Sequence, residues 1–309
     1  MVTDADIERF HRDGFVVVPG FLSPHDLGPA RANLGSELPT AGAFFDHPDA
    51  SNERFRDEFA GITSFPFESV ELSLLSVHER LIDLAERLLG RAALRVYSVE
   101  AWAKFTGAAD YDQPLHRDYL NHSLLVPTVG AGPSQVEMFL YLSDVSQDVG
   151  PPSLVPTPVT EGLGALPNWY PRSDGVVDSD HPGWVSPSGR SDLYEREVAA
   201  CGPAGTVVAY RIETFHRGTA LRAHRGVRHT LHVNFRLADH DWIGRRAWTD
   251  SANSAAWEAF VVRATARQLG LFGFPLPGHP YWSDETVDGV AQRYPGLDVS
   301  PWRRRADPT

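Results

Sequence analysis

The sequence predicts a mainly β protein with flanking α-helices, folded as a double-stranded β-helix, the jelly-roll or cupin-like barrel. From residue 93 the chain consists of short runs rich in β-branched and aromatic residues: "ALRVYSVEAWAKF", "SQVEMFLYL", "GTVVAY" and "RHTLHVNFR". Segments rich in Gly, Pro, Asp and Ser separate these runs. No periodic helix lies between them, which favours an antiparallel sandwich or barrel over a parallel sheet.

The first residues carry signals for two helices and a strand. Thr3 and Asp6 have the spacing of a helix N-cap with an acidic first turn, and Gly14 ends that helix. The run "VVV" at 16–18 predicts a strand, and Ser23 followed by proline begins a second helix.

Two further helices follow from apolar periodicity. One stripe ends at Gly90 and consists of Val77, Leu81, Leu84 and Leu88. Helical spacing returns over residues 254–269 and ends before Gly270. These helices are expected to pack against the outside of the sheet.

The chain is predicted to form one domain over residues 1–309. Residues 1–92 form a mainly helical flank, residues 93–240 the jelly-roll core, and residues 241–309 a helical and irregular flank. Residues 158–200 are an insertion in the core with no clear period and many turn formers. Loops of this length are often lids or binding loops.

Composition excludes several classes of function. The formal net charge is −12, which disfavours binding to nucleic acid. The single cysteine, Cys201, cannot form an internal disulfide, and "MVTDADIERF" lacks the features of a signal peptide. The apolar runs are far shorter than the roughly 20 residues that cross a bilayer. The sequence therefore predicts a soluble cytoplasmic protein without a membrane or nucleic-acid partner.

The stretch "PLHRDYL" carries the first chemical signal. Side chains alternate along a strand, so His116 and Asp118 point to one face while Arg117 points away. Two histidines and one carboxylate can hold Fe(II) and leave three positions for substrates and oxygen. One more histidine is therefore required.

His216 is the preferred third ligand because it follows the strand "GTVVAY". His224, His229 and His232 compete with it. The next strand places Arg228 and Thr230 on one face. A planar guanidinium and a hydroxyl together suit the distal carboxylate of a 2-oxo acid.

At this point the chain resembles the phytanoyl-CoA dioxygenase family of Fe(II)/2-oxoglutarate oxygenases. The resemblance covers most of the sequence, in the order "FHRDGFVVVPGFLSPHDL", "PLHRD", "YLSDVSQDVGPPSLVP" and "GTVVAYRIETFHRG". It implies that His116, Asp118 and His216 bind iron and that Arg228, with Thr230, binds the 2-oxoglutarate C5 carboxylate. It also implies oxygen as co-substrate, succinate and carbon dioxide as co-products, and hydroxylation of a C–H bond in a small organic molecule.

Two positions depart from the family pattern. Pro156-Thr157-Pro158 stands where the family usually has a Pro-Gly-Ser-His turn, which predicts a loop rebuilt for a different substrate. The arginine also falls slightly late after His216, so Arg225 is an alternative to Arg228. Halogenating relatives of this class replace the carboxylate ligand by a small residue, so Asp118 favours hydroxylation over chlorination. Desaturation, epimerisation and ring formation stay open.

Strand phase supplies candidates for the substrate pocket. On "SQVEMFLYL" one face carries Gln135, Glu137, Phe139 and Tyr141, and this face points either into the barrel or outward. Tyr119 is a further pocket candidate. Other residues that could shape the substrate mouth are His122, Trp169, Tyr170 and Trp184. Lys104 contacts either co-substrate or solvent.

Two other functions fit the same residues. A cupin-like isomerase or hydrolase would use the triad with Zn(II) or Mn(II) and no 2-oxo acid, which makes Arg228 a structural ion pair. A non-catalytic small-molecule binder would keep the barrel without iron.

Overall fold

Two antiparallel sheets face each other at the centre of the protein. The structure is a computed structural model that describes residues 2–46, 53–57, 59, 61–108, 111–126, 132–174 and 183–303. The strands are β1 (Phe15–Val18), β2 (Thr63–Ser64), β3 (Leu94–Phe105), β4 (Leu115–His116), β5 (Gln135–Tyr141), β6 (Pro152–Leu154), β7 (Trp169–Tyr170), β8 (Val198–Ala199), β9 (Val207–Tyr210), β10 (His216–Gly218) and β11 (Val227–Leu237). A large sheet has the order β1-β9-β5-β11-β3-β2 and a small sheet the order β7-β4-β10-β6-β8. This is the predicted double-stranded β-helix.

Ten α-helices are found in the part of the chain that the structure describes. They are α1 (Asp4–Asp13), α2 (Pro24–Ala32), α3 (Ala41–Asp46), α4 (Val70–Ser76), α5 (Glu79–Leu89), α6 (Tyr119–His122), α7 (Ser191–Tyr194), α8 (Ala255–Val261), α9 (Ala266–Gly270) and α10 (Asp284–Arg293). None of them has the length and apolar character that a membrane span requires.

The amino-terminal helices begin and end where their capping residues predict. At the start of α1, the Thr3 side chain accepts from the backbone N–H of Asp6 and the Asp6 carboxylate accepts from the backbone N–H of Thr3. Gly14 ends α1 in the left-handed conformation, with φ 82°. Ser23 and Asp26 form the same reciprocal cap at the start of α2.

Two helix boundaries differ from the sequence prediction. The stripe that begins at Val77 is divided, because Val77 closes α4 and His78 caps α5. The helical region 254–269 is also two helices, α8 and α9, because the Thr265 side chain caps a new helix. Periodicity alone does not mark such breaks when apolar spacing continues across them.

The main hydrophobic core lies between the large sheet and the helices. Along β5 the side chains of Val136, Met138 and Leu140 enter this core, where they pack with residues of α1, α2, α4, α5, α8 and α9. Phe139 and Tyr141 point the other way, into a smaller cluster shared with Leu154 of the small sheet. The large sheet therefore turns one face to the helices and the other to the small sheet.

The predicted insertion contributes to the small sheet. Its residues include β7 and β8, which pair with β4 and β6 as the two edge strands. Tyr170, Leu193 and Tyr194 of the insertion pack with Leu115 and Phe215 in a third apolar cluster. The described part of residues 158–200 is thus packed against the barrel.

Candidate metal centre

Three side chains predicted as metal ligands converge between the sheets. His116 of β4 and His216 of β10 are direct cross-strand partners, and Asp118 follows two residues after His116. His216 Nε2 lies 3.2 Å from Asp118 Oδ2, and His116 Nε2 lies 3.6 Å from Asp118 Oδ1. The ligand atoms of all three residues lie within 4.8 Å of one another.

Both imidazole rings are oriented by backbone carbonyls. His116 Nδ1 donates to the Pro114 carbonyl at 2.9 Å, and His216 Nδ1 donates to the Thr214 carbonyl at 3.1 Å. A carbonyl oxygen only accepts, so Nδ1 carries the proton and Nε2 is left for a metal. Each histidine thus bonds to the carbonyl two residues before it.

The carboxylate of Asp118 is held in its charged form. Burial raises the pKa of Asp118, but the nearby His216 and His116 outweigh it, and the pKa lies well below its usual range. Burial and His216 lower the pKa of His116 to about 4, whereas Asp118 raises the pKa of His216 against burial. The Tyr210 hydroxyl donates to Asp118 Oδ2 at 3.3 Å. Two nitrogen donors and one charged oxygen donor suit Fe(II).

One cavity joins the triad to Arg228. It has a volume of about 200 Å³, and its lining includes His116, Asp118, His216, Arg228 and Thr230. The structure therefore places every predicted metal and co-substrate residue around a single space.

The guanidinium of Arg228 is buried, and no described residue pairs with it as an anion. Arg228 is 5% exposed, and its Nε and Nη1 have no hydrogen-bond partner in the described parts of the chain. Burial lowers the pKa of Arg228 to about 10, and burial together with Arg228 lowers the pKa of Lys104, its cross-strand partner. Leaving such a charge unpaired is costly, so this end of the cavity fits a carboxylate ligand. A structural ion pair at Arg228 is not what the described residues form.

The competing residues lie elsewhere or make other contacts. Arg225 is exposed and forms a bidentate ion pair with Asp46, with both distances 2.7 Å. His224 is exposed, and His229 Nε2 contacts the Pro39 carbonyl at 2.9 Å. His232 does line the cavity, where its ring stacks on Trp102 at 4.7 Å.

Arg117 turns away from the cavity, as strand alternation predicts. Its guanidinium donates to the carbonyls of Gly164, Ala165 and Pro167 and lies 4.3 Å from the centre of the Phe215 ring. The arginine therefore holds the insertion against the strand that carries His116.

The predicted pocket residues divide into two groups. Glu137 and Phe139 line the cavity. Gln135 and Tyr141 share their face but are not part of the cavity wall: the Gln135 amide donates to Tyr97 and Glu137, and the Tyr141 hydroxyl donates to the Ala200 carbonyl. The side chain of Tyr119 lies outside the part of the chain that the structure describes.

Several lining residues were missed or ranked low from the sequence. Trp169 stacks on His116 with a centroid distance of 4.2 Å and an interplanar angle of 15°. Trp102, His232 and Asn234 come from β3 and β11, on the strand faces that carry Lys104 and Arg228. Strand alternation from the sequence already places His232 on the face of Arg228 and Thr230, and its application one step further along β11 identifies Asn234.

A comparison with protein families gives one match. The sequence model of the family described as phytanoyl-CoA dioxygenase (PhyH) matches residues 10–230. This stretch includes the triad and Arg228. A comparison with curated proteins gave no match.

Solved structures of related fold include two enzymes of nogalamycin biosynthesis. The epimerase SnoN, in complex with Fe3+, alpha ketoglutarate and nogalamycin RO, is 22% identical over 75% of this chain and 82% of its own, with a TM-score of 0.51. The non-heme alpha ketoglutarate dependent carbocyclase SnoK is 19% identical over 77% of this chain and 85% of its own, with a TM-score of 0.51. At these identities the likeness establishes a common fold.

Proposed function

The chain belongs to the phytanoyl-CoA dioxygenase family of Fe(II)/2-oxoglutarate-dependent oxygenases, and on this premise we propose that it hydroxylates a C–H bond of a small organic molecule. The observation that supports this most directly is the triad of His116, Asp118 and His216, which shares one cavity with Arg228, whose Nε and Nη1 have no hydrogen-bond partner among the described residues.

In this proposal the triad holds the metal in a fixed orientation. His116 and His216 bind through Nε2, because each Nδ1–H is engaged by a backbone carbonyl. Tyr210 donates to one oxygen of Asp118 and so limits rotation of the carboxylate. Trp169 covers one face of the His116 ring and keeps bulk water from that side.

The co-substrate site lies at the basic end of the cavity. Arg228 donates from its guanidinium to the C5 carboxylate of 2-oxoglutarate, and Thr230, two residues along the same strand face, adds a hydroxyl. Lys104 lies opposite Arg228 on β3, where burial and Arg228 lower the pKa of its amine. The Arg228 guanidinium is therefore the charge that favours a dicarboxylate over a monocarboxylic 2-oxo acid.

Bound Fe(II) and 2-oxoglutarate supply the oxidising chemistry, in which oxygen is consumed and succinate and carbon dioxide are formed while a substrate C–H bond is oxidised. The protein fixes the reacting groups and excludes water from the cavity between the sheets. Asp118 keeps a carboxylate in the ligand set, which favours hydroxylation over chlorination. Product analysis distinguishes hydroxylation from desaturation, epimerisation and ring formation.

The proposal is tested by anaerobic loading with Fe(II) and 2-oxoglutarate followed by oxygen. The visible charge-transfer absorption of the Fe(II)–2-oxo acid chelate is expected to appear before oxygen, and succinate is expected after it. A candidate substrate is expected to accelerate succinate formation and to gain one oxygen atom, measured by mass spectrometry. If neither the chelate nor succinate forms in protein shown to bind Fe(II), the proposal is wrong.

A further inference from the structure

The wall of the cavity is ordered in rows along the large sheet. Residues paired across β3, β11 and β5 lie side by side, and every second residue of a strand faces the cavity. Arg228 pairs with Lys104 in the first row, and Asn234 pairs with Glu137 in the last. Six residues of strand separate these rows by about 20 Å.

The last row contains buried polar groups. Glu137 is 1% exposed, and in the described chain its Oε2 makes no hydrogen bond and has only the ion-pair contact with His122 Nδ1, at 3.2 Å. Asn234 is 5% exposed. Both side chains line the cavity. A buried carboxylate oxygen and an amide that face a cavity can form further hydrogen bonds, so this row is suited to a ligand with hydrogen-bonding groups.

His122 adds a third polar group to this end. Its Nδ1 lies 3.1 Å from the Tyr97 hydroxyl and 3.2 Å from Glu137 Oε2, and the Tyr97 hydroxyl also donates to Glu137. Nδ1 is thus occupied, and Nε2 is the nitrogen left for a ligand in the cavity that His122 lines. Tyr97 and Glu137 fix the orientation of the His122 ring and therefore the direction in which Nε2 points.

The charges at this end of the cavity are already paired. Glu137 contacts His122, and Glu100 contacts Arg245 at 3.2 Å and Arg246 at 3.5 Å. An ammonium ligand would meet Arg245 and Arg246 beside Glu100, and beside Glu137 it would meet the His122 ring. Burial lowers the pKa of His122, but Glu137 outweighs burial and raises that pKa above its usual value. An anionic ligand would meet the carboxylates themselves. A neutral ligand with hydroxyl groups meets neither repulsion.

Size and the surface at the mouth restrict the ligand further. The cavity of about 200 Å³ is smaller than the roughly 300–1,000 Å³ of pockets for drug-sized ligands, and 2-oxoglutarate shares it. Only a small part of the substrate therefore enters. Phe59, 60% exposed, and Ile62 also line this space, and Phe59 packs edge-on against Trp102 at 6.0 Å. These side chains offer an apolar surface to the part that stays outside.

On the basis of the function proposed above, we propose that the substrate is a neutral amphipathic molecule with a small hydroxylated ring or chain end. This end enters the cavity and hydrogen-bonds to Glu137, His122 and Asn234, while an apolar body packs on Phe59 and Ile62. Glu137 Oε2 accepts from a hydroxyl, and the amide of Asn234 both donates and accepts. These three polar residues determine the substrate class, and Arg228 does not contribute to it.

The inference is tested with three probes that share a phenyl group: phenyl β-D-glucopyranoside, benzylamine and sodium benzoate. Saturation-transfer NMR on protein loaded with Zn(II) and 2-oxoglutarate measures binding of each probe. The glucoside is expected to bind most tightly, with transfer to both sugar and phenyl protons. Tighter binding of benzylamine or benzoate, or no binding of the glucoside, overturns the inference.

Two variants locate the binding site. Glu137→Gln replaces an accepting carboxylate oxygen by a donating amide, and Asn234→Ala removes the amide. Each change is expected to weaken glucoside binding about 2- to 10-fold. Glu8→Gln, on the exposed face of α1, is the matched control and is expected to bind as the wild type does. Unchanged affinity in both pocket variants contradicts the assigned site.

The Fe(II)–2-oxoglutarate absorption distinguishes a wrong substrate class from a wrong proposed function. A wild-type protein that forms this chelate but fails to prefer the glucoside retains the proposed function and loses only the substrate class. A protein that does not form the chelate loses the proposed function itself. Thermal unfolding of each variant identifies any loss of folded protein.

Discussion

The two sheets of the barrel divide the work of the site in different ways. The large sheet presents its residues from long strands, such as the 12-residue β3 and the 11-residue β11, in regular rows. The small sheet supplies both histidines from strands of two and three residues, β4 and β10. The large sheet positions side chains by its regular repeat, whereas the small sheet positions them by individual hydrogen bonds.

The two sheets are therefore expected to respond differently to substitution. The helical core packs against one face of the large sheet. Residues on the opposite face, toward the cavity, can therefore be substituted while this packing is kept. The histidines of the small sheet depend on Pro114 and Thr214 carbonyls and on a cluster of six buried residues. A change in the small sheet is therefore expected to affect metal binding first.

The largest effect is expected from His216→Ala. Loss of a direct ligand should exceed the roughly 10- to 100-fold loss that follows removal of an outer partner of a metal ligand. Iron binding and 2-oxoglutarate-dependent succinate formation are expected to fall together. Isothermal titration with Fe(II) under anaerobic conditions measures the first and succinate assay the second. Near-normal turnover in this variant would exclude His216 from the ligand set.

A pair of leucine variants compares the cores behind the sheets. Leu231 is fully buried in the main core. Leu115 is fully buried in the third apolar cluster, next to His116 in the chain. Each change to alanine is expected to lower the free energy of unfolding by about 2–5 kcal/mol. Only Leu115→Ala is expected to weaken metal binding as well. Chemical denaturation and Fe(II) titration check both results, and equal metal affinity in the two variants would refute the contrast.

Arg228→Ala removes the guanidinium that is proposed to bind the C5 carboxylate of 2-oxoglutarate. Removal of hydrogen bonds to a charged group costs about 1.5–3 kcal/mol, so the KM for 2-oxoglutarate is expected to rise about 10- to 100-fold. The matched control is Arg225→Ala, since Arg225 lies three residues away and pairs with Asp46 at the surface. Steady-state kinetics measure both variants. A rise in KM for Arg225→Ala alone would reverse the assignment of the two arginines.

The smallest effect is expected from a substitution at the start of α2, one of the helices that pack behind the large sheet. Hydrogen bonds from Ser23 lower the pKa of Asp26, so its contribution to stability is present above the unfolded pKa and is lost as the pH falls below about 4. Asp26→Asn is expected to cost about 0.5–1 kcal/mol at neutral pH and almost nothing in acid. Urea denaturation at several pH values measures this, with metal affinity unchanged. A difference that persists in acid would argue against the cap.

The sequence predicts the long strands well because alternation over many residues repeats the same signal. It also leads to His116, Asp118, His216 and Arg228, whose spacing meets specific chemical demands. It does not predict β7 and β8, because two-residue strands carry no period and depend on tertiary packing. His122 was only a weak candidate for the same reason: its role depends on Tyr97 and Glu137, which lie 25 and 15 residues away along the chain.

Arg117 connects the insertion to the segment that carries two of the metal ligands. Its Nη2 donates to three carbonyls from residues 164–167, and its sequence neighbours on either side are His116 and Asp118. Deletion of this segment would remove these three acceptors from a buried cation in the middle of the ligand motif. A shortened insertion is therefore expected to disturb the metal ligands on either side of Arg117, although it contains none of the three.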